Sequence, residues 1–119
     1  MRTGGNIMER VKKIAQALYD KKAENIEILD ISQITSIGDY FIICTCASSV
    51  QVKACADDVE EKLEEMGVFP GHKEGYNGGN WILMDFGDFI VHIMLEETHE
   101  FYSLEKLWGD AEKVHVELK

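Results

Sequence analysis

The sequence is poor in the features that mark several large classes of protein. Only one of its 119 residues is Pro, and no apolar run approaches the roughly 20 residues that cross a membrane. The first six residues, MRTGGN, lack the apolar stretch of a secretory signal. Apolar residues make up 45% of the chain, which is typical of a folded protein rather than a disordered one. We therefore expect one cytoplasmic domain over residues 1–119.

Basic side chains are also scarce. The chain has 22 acidic and 12 basic residues, for a net charge of −10, and its longest basic runs are the pairs Lys12-Lys13 and Lys21-Lys22. Because phosphate backbones repel an acidic surface, we expect no direct binding to nucleic acid. The acidic balance favours encounter with basic partners, although solubility alone would also explain it.

Cysteine is limited to Cys44, Cys46 and Cys55, which form no C-x-x-C pair and have no His cluster nearby. We expect these residues to be small buried thiols in a reducing compartment rather than disulfides or zinc ligands. No residue pattern calls for a metal or another cofactor, and we expect none.

Apolar periodicity predicts two main helices, over residues 6–22 and 49–66. Asn6 is the expected cap of the first helix. Ser48 and Gln51 have the spacing of a capping box before the second helix, and Gly67 is placed to end it in a left-handed conformation. A short helix is expected near 97–102 and a further turn near 104–108, after which the last ten residues are expected to fray.

The predicted strands cover residues 25–32, 39–46, 80–86 and 88–95, with a short fifth strand near Val68 or Glu74 left open. Strand 39–46 is apolar on both faces, which places it in the middle of a sheet. A right-handed crossover through helix 49–66 would join it to a parallel strand at 80–86. The expected fold is α/β, in the α+β sense: a mixed sheet of four or five strands with helices packed on it.

The stretch WILMDFGDFIVHIM, residues 81–94, predicts a β-hairpin with a two-residue turn at Gly87-Asp88. That register pairs Met84 with Val91 on a core face. The opposite face carries alternate residues of both strands: Trp81, Leu83, Asp85, Ile90, His92 and Met94. There, Asp85 and His92 are diagonal neighbours within reach of each other.

Two functions remain open for this face. His92 oriented by Asp85 could act as a general base, but one His and one Asp are too few ligands for a hydrolytic zinc site. Trp81 and Met94 on a sheet surface are instead typical anchors of a protein–protein interface. The aromatic residues near the C-terminus could equally well cover the face from within the same chain.

Three stretches together resemble the Iojap-like family of ribosomal silencing factors: DYFIICTCASSVQVKACADDVEEKL, WILMDFGDFIVHIM and EFYSLEKLWGDA. The resemblance runs from about Ala15 to Ala111. The chain departs from the family pattern at Cys46 and Ala47, where a Gly and a small polar residue are common, and at Val50, where Arg is common.

The resemblance implies an α/β fold related to nucleotidyltransferases, without catalytic or metal residues. It also implies binding to the large ribosomal subunit, through its fourteenth ribosomal protein, which blocks joining of the small subunit and represses translation. Self-association as a homodimer through the same face stays open. The alternative function is a nucleotidyltransferase-related enzyme that uses Asp85 and His92.

For the binding function, we expect Trp81 to anchor the partner, with His92 and Met94 beside it. The apolar patch is expected to extend over Tyr102, Leu104 and Trp108. Acidic groups at its rim are expected from Asp85 and Glu105.

Overall fold

Six strands form one mixed sheet in the part of the chain that the computed structural model describes, residues 4–102, 109 and 111–119. The elements follow in chain order: α1 (Gly4–Asp20), β1 (Glu24–Asp30), β2 (Tyr40–Cys46), α2 (Ser49–Glu64), β3 (His72–Glu74), β4 (Trp81–Asp85), β5 (Phe89–Leu95), α3 (Glu96–Tyr102) and β6 (Glu112–Val114). The predicted α/β class, the two main helices and the short helix after the hairpin are confirmed.

The strand order across the sheet is β3-β4-β5-β2-β1-β6. Strand β2 pairs in parallel with β5, and the other neighbouring strands are antiparallel. The predicted parallel pairing of β2 with the strand at 80–86 is therefore wrong. Strands β2 and β5 are both almost entirely buried and pair at the centre, whereas β4 alternates between buried and half-buried residues and lies further out.

The sheet has one strand more than the four or five expected. Strand β3 falls at one of the two positions considered, around Glu74, and β6 pairs with β1 at the opposite edge. The prediction that the last ten residues fray is also wrong. The Gln16 amide and the Lys119 backbone exchange hydrogen bonds of 3.3 and 3.0 Å, which tie the end of the chain to α1.

The local signals at the ends of α2 are confirmed. Ser48 Oγ accepts a hydrogen bond from the Gln51 amide at 3.1 Å, and Gln51 Oε1 accepts one from the Ala47 amide at 2.9 Å. At the other end, Gly67 has φ of +77°, and the amide of Val68 donates back to the Leu63 carbonyl at 2.8 Å. The first helix, by contrast, begins two residues before its predicted cap at Asn6.

The sheet separates two apolar clusters. Helices α1 and α2 cover one face, and the larger cluster lies beneath them, with Leu18, Ile42 and Val91 buried in it. The opposite face has a smaller cluster, composed of Leu29, Ile31, Phe41, Ile43, Ile90 and Met94, against which Trp81, Leu83 and Ala111 pack. The second cluster is the environment of the candidate site.

All three cysteines are buried and free, as predicted. The Sγ atoms of Cys46 and Cys55 lie 3.7 Å apart between β2 and α2. The hydrogen bond with Cys44, together with burial, raises the pKa of Cys46 to about 12. The hydrogen bond with Cys46 and burial likewise raise the pKa of Cys55. Both groups remain neutral thiols that pack as part of the core.

Candidate functional site

The β4–β5 hairpin has the predicted register. Met84 pairs with Val91, and the amide of Phe86 donates to the Phe89 carbonyl at 3.0 Å across the turn. Gly87 has φ of +93°, a conformation that a two-residue turn of this kind requires and that Gly adopts without strain. The register places six alternating residues on the side of the sheet opposite α1 and α2: Trp81, Leu83, Asp85, Ile90, His92 and Met94. We call this side the hairpin face.

A hydrogen bond between two side chains organises the hairpin face. The indole Nε1–H of Trp81 donates to Nδ1 of His92 at 3.1 Å. Because Nδ1 accepts, the neutral imidazole carries its proton on Nε2. His92 is only 5% exposed, and this burial lowers its pKa to about 4. The ring is therefore uncharged near neutral pH and holds the indole in one orientation.

The rest of the His92 ring is enclosed by apolar groups. Phe41 meets it edge-on, with ring centroids 4.8 Å apart and an interplanar angle of 73°. Within the described part of the chain, Nε2 of His92 has no hydrogen-bond partner. An unpaired buried donor costs about 1–3 kcal/mol of folding free energy. His92 therefore lowers the stability of the fold at this core position. The hydrogen bond that its side chain does make is with Trp81.

Asp85 does not take part in this arrangement. It is a diagonal neighbour of His92, as the register predicted, but its Oδ1 accepts the amide of Gly87 at 2.8 Å. No hydrogen bond joins the Asp85 and His92 side chains, both of which are described. The catalytic alternative required such a bond to orient the imidazole as a base. With a pKa of about 4 and no carboxylate partner among the described residues, His92 is also a weak base.

The structure brings Trp81, His92 and Met94 together, but at different depths. Met94 is fully buried (0% exposed), and His92 is nearly so. Trp81 and Leu83 are half-buried and reach the surface. Direct contact of His92 and Met94 with a partner would require these side chains to become exposed, and their part in the site stays a prediction. The apolar face of two central strands cannot be left in water, so these two side chains support Trp81 from beneath.

The C-terminal part of the expected site lies at the limit of the described residues. Helix α3 follows β5 directly and packs against β5 and β2. Tyr102 is its last residue. The expected contacts at Leu104, Glu105 and Trp108 lie outside the described residues.

A groove of about 250 Å³ is lined by Trp81 and Leu83 of β4 together with Glu74 and Gly75. Glu74 comes from β3 and pairs with Leu83 in the sheet. Gly75 has φ of +83°, and a Cβ atom at this position would overlap the carbonyl oxygen of Trp81. A glycine is thus required where the end of β3 passes close to the backbone of Trp81.

Sequence reasoning missed Leu83, Glu74 and Gly75 as members of the site. Leu83 could have been included, because the alternation of β4 places it on the same face as Trp81. Glu74 and Gly75 had no usable signal, since β3 is only three residues long and its pairing with β4 is a tertiary contact.

The described residues provide neither a metal cluster nor a membrane-spanning helix. No group of three or more His, Cys, Asp or Glu residues there is arranged to hold a metal ion. None of the helices in that part of the chain is long and apolar enough to cross a membrane.

Comparison with known proteins gives consistent matches over most of the chain. Residues 5–119 match the family model RsfS, described as "Ribosomal silencing factor during starvation". A ribosomal silencing factor from Bacillus subtilis is 41% identical over 101 residues, which cover 85% of this chain and 86% of the relative. The chloroplastic protein Iojap of Zea mays is 32% identical over 87% of this chain and 45% of its own length.

Solved structures agree with the sequence matches. A crystal structure of a protein from Chromobacterium violaceum superposes with a TM-score of 0.84 at 40% identity, covering 95% of this chain and 93% of that one. A second crystal structure, of a protein from Bacillus halodurans, has a TM-score of 0.81 at 34% identity. The match covers 92% of this chain and 99% of that one. The names of the matched relatives describe silencing factors rather than enzymes. The chain belongs to the RsfS family of ribosomal silencing factors.

Proposed function

We propose that this protein represses translation in the cytoplasm by binding the large ribosomal subunit and sterically blocking the joining of the small subunit. Its contact on the large subunit is the fourteenth ribosomal protein, which is the partner that the family resemblance implies. Membership of the RsfS family supports association with the ribosome. The choice of surface rests on the half-buried Trp81, which reaches the surface and is held in one orientation by its hydrogen bond to His92.

Trp81 has the properties of a binding anchor. Its indole N–H is already paired with His92, so its exposed part is apolar and gains most from burial against a partner. Since its orientation is set before binding, little side-chain entropy is lost when the partner docks. Aromatic residues in this situation contribute about 2 kcal/mol or more to an interface. The adjacent Leu83 and the groove would receive apolar side chains of the partner.

Charge supports a basic protein as the partner. The chain carries a net charge of −10, and Glu74 and Asp85 flank the exposed part of the hairpin face. Ribosomal proteins are commonly basic, so this charge speeds encounter with them and disfavours contact with bare ribosomal RNA. Glu105 would add to the acidic rim, while Tyr102, Leu104 and Trp108 would extend the apolar patch.

The decisive experiment compares two alanine variants of the full chain. Trp81→Ala should weaken capture of the fourteenth large-subunit ribosomal protein at least tenfold, because it removes the proposed anchor. Tyr19→Ala removes an exposed aromatic residue on the opposite side of the sheet, on α1, and should bind like the wild type. Circular dichroism and thermal unfolding would verify that both variants fold.

Ribosome profiles in sucrose gradients then test the consequence of binding. Added wild-type protein should migrate with the large subunit and reduce the fraction of joined ribosomes, and Trp81→Ala should do neither. Equal affinity of Trp81→Ala and wild type for the ribosomal protein would contradict the proposed site. Migration with joined ribosomes would contradict steric blocking.

Self-association through the hairpin face would compete with this binding. A homodimer that buries Trp81 must dissociate before the ribosomal protein can dock, so dimerisation would lower the apparent affinity. Sedimentation of wild type and Trp81→Ala across a range of concentrations measures this competition, because loss of the anchor should weaken such a dimer.

The family resemblance implies a relation to nucleotidyltransferases in the fold, and we propose that this relation does not extend to catalysis. Enzymatic use of Asp85 and His92 is less well supported, since Asp85 is bound to the turn and His92 to Trp81. Calorimetric titration with a nucleoside triphosphate and Mg²⁺ should give no heat of binding, and saturable binding would favour the enzyme.

A further inference from the structure

Three connecting segments meet at the end of the sheet that is opposite to Trp81. The loop 31–39 lies on the hairpin turn, where the Asp39 amide donates to the Asp88 carbonyl at 2.7 Å. The segment 67–71 lies on the outer side of β4, where the Gly71 amide donates to the Asp85 carbonyl at 2.8 Å. With the turn 86–88 between them, these segments form one continuous surface, which we call the loop-end surface.

The loop-end surface exposes large apolar side chains. Phe69 is 63% exposed and Ile37 is 53% exposed, and Ile34 is exposed as well. The loop that carries the two isoleucines is folded, because the Ile34 amide donates to the Ile31 carbonyl at 3.0 Å and the Ile37 amide donates to the Thr35 hydroxyl at 3.3 Å. These apolar groups are therefore presented to solvent by a structured loop, at a cost in hydration that a bound partner would remove.

The three segments themselves carry charge of one sign. Together with Asp30, which precedes the first loop, residues 31–39, 67–71 and 86–88 contain three Asp and no Lys or Arg. Basic groups lie next to this surface, since Lys12, Lys13 and Lys119 line a groove with Met66. Asp30 pairs directly with Tyr40 across the sheet. Burial first, and then the charges of Asp30 and Asp39, raise the pKa of the Tyr40 hydroxyl. The carboxylates thus act together as a negative field around the exposed apolar groups.

The spacing of the apolar groups limits the shape of what can bind. Phe69 leads into β3 and Ile37 leads into β2, and these two strands are three positions apart in the sheet. At about 4.8 Å per strand, these two strands are about 14 Å apart, which sets the approximate spacing of the loop ends that carry Phe69 and Ile37. That distance corresponds to two or three turns of an α-helix.

We propose that the loop-end surface docks a basic, amphipathic protein helix, which places apolar side chains on Phe69 and Ile37 and Lys or Arg beside the aspartates. This site is separate from the one at Trp81, since the two lie at opposite ends of β4. A second copy of the chain fits less well, because a self-contact would bring two acidic surfaces together. Nucleic acid is disfavoured by the same charge.

The test uses a defined probe, a fluorescent amphipathic helical peptide with Leu along one face and Lys along the other. Titrated against the full chain, it should bind with an affinity that falls as salt rises. The double variant Ile37→Ser and Phe69→Ser should bind it at least tenfold more weakly. Val50→Ser, at an exposed apolar position on α2, is the matched control and should bind like the wild type.

Three further arms make the outcome decisive. A peptide with Glu in place of Lys should not bind, and Asp30→Asn with Asp39→Asn should weaken binding of the Lys peptide. Trp81→Ala should leave it unchanged. The proposal is overturned if the Lys peptide does not bind, if the acidic peptide binds equally, or if the Ile37 and Phe69 changes have no effect. It is also overturned if Trp81→Ala removes binding, which would place the peptide at the hairpin face instead.

Discussion

Trp81 and His92 are joined by a 3.1 Å hydrogen bond from the indole Nε1–H to the imidazole Nδ1, one strand apart on the hairpin face. The bond links a half-buried side chain to a buried one. It explains why a polar residue occupies a core position of β5 beside Phe41. It also separates two roles in the proposed site that the sequence pattern combined: Trp81 would contact the partner, and His92 would position it.

His92→Phe should reduce affinity for the ribosomal protein without unfolding the chain. Phe fills a similar volume and leaves no unpaired Nε2 donor, so the free energy of unfolding should change by less than about 1.5 kcal/mol. Loss of the acceptor frees the indole, which should weaken binding several-fold. Calorimetric titration measures the binding, and urea unfolding measures the stability.

The positioning role of His92 is tested by comparing two variants. One is the single variant Trp81→Phe, and the other is the double variant Trp81→Phe with His92→Phe. If His92 acts through the indole hydrogen bond, its replacement should have little further effect once Trp81 is Phe. Additive losses in the double variant would contradict a positioning role.

Acid should destabilise the fold through His92. Its pKa is about 4 in the folded chain and 6.5 in the unfolded chain, so between these values the unfolded state binds the proton more readily. Stability is therefore greatest above pH 6.5 and falls as the pH drops towards 4, by about 3 kcal/mol from this group. Urea unfolding at pH 7 and pH 4.5 measures the loss.

Carboxylates also titrate in this range, so the comparison with His92→Phe isolates the histidine. The variant should lose clearly less stability than the wild type between the two pH values. An equal loss in both proteins would show that His92 is not the group responsible.

Gly75→Ala should destabilise the chain by more than about 2 kcal/mol. The new Cβ combines a left-handed backbone with a steric overlap on the Trp81 carbonyl, which would push β3 away from β4. Gly67→Ala is the matched control, because Gly67 has a similar φ but open space around its Cβ position. Its cost should be about 1 kcal/mol, as measured by thermal unfolding. Equal effects of the two changes would contradict the close approach.

The thiols of Cys46 and Cys55 should resist alkylation in the native protein. Both are buried, and their raised pKa values leave little thiolate at pH 8. Mass spectrometry after iodoacetamide treatment should find these two residues unmodified in native protein and modified in urea. Rapid native labelling would show that α2 separates readily from β2.

Much of the fold could be predicted from the chain because it depends on local chemistry. The Ser48–Gln51 cap, the left-handed stop at Gly67 and the Gly87-Asp88 turn each involve residues within a few positions of one another. The turn then sets which residues of β4 and β5 share a face. The sequence alone therefore placed Trp81 and His92 on the same side of the sheet.

Only the tertiary structure decided which strands meet and which side chains remain accessible. The parallel pairing of β2 with β5, the addition of β3 and β6 at the edges, and the cover over Met94 all join residues that are distant in the chain. Alternation specifies the two faces of a strand but carries no information about its neighbour or its depth. Burial is a property of the assembled sheet, because the apolar faces of the central strands must be removed from water by whichever segments can reach them.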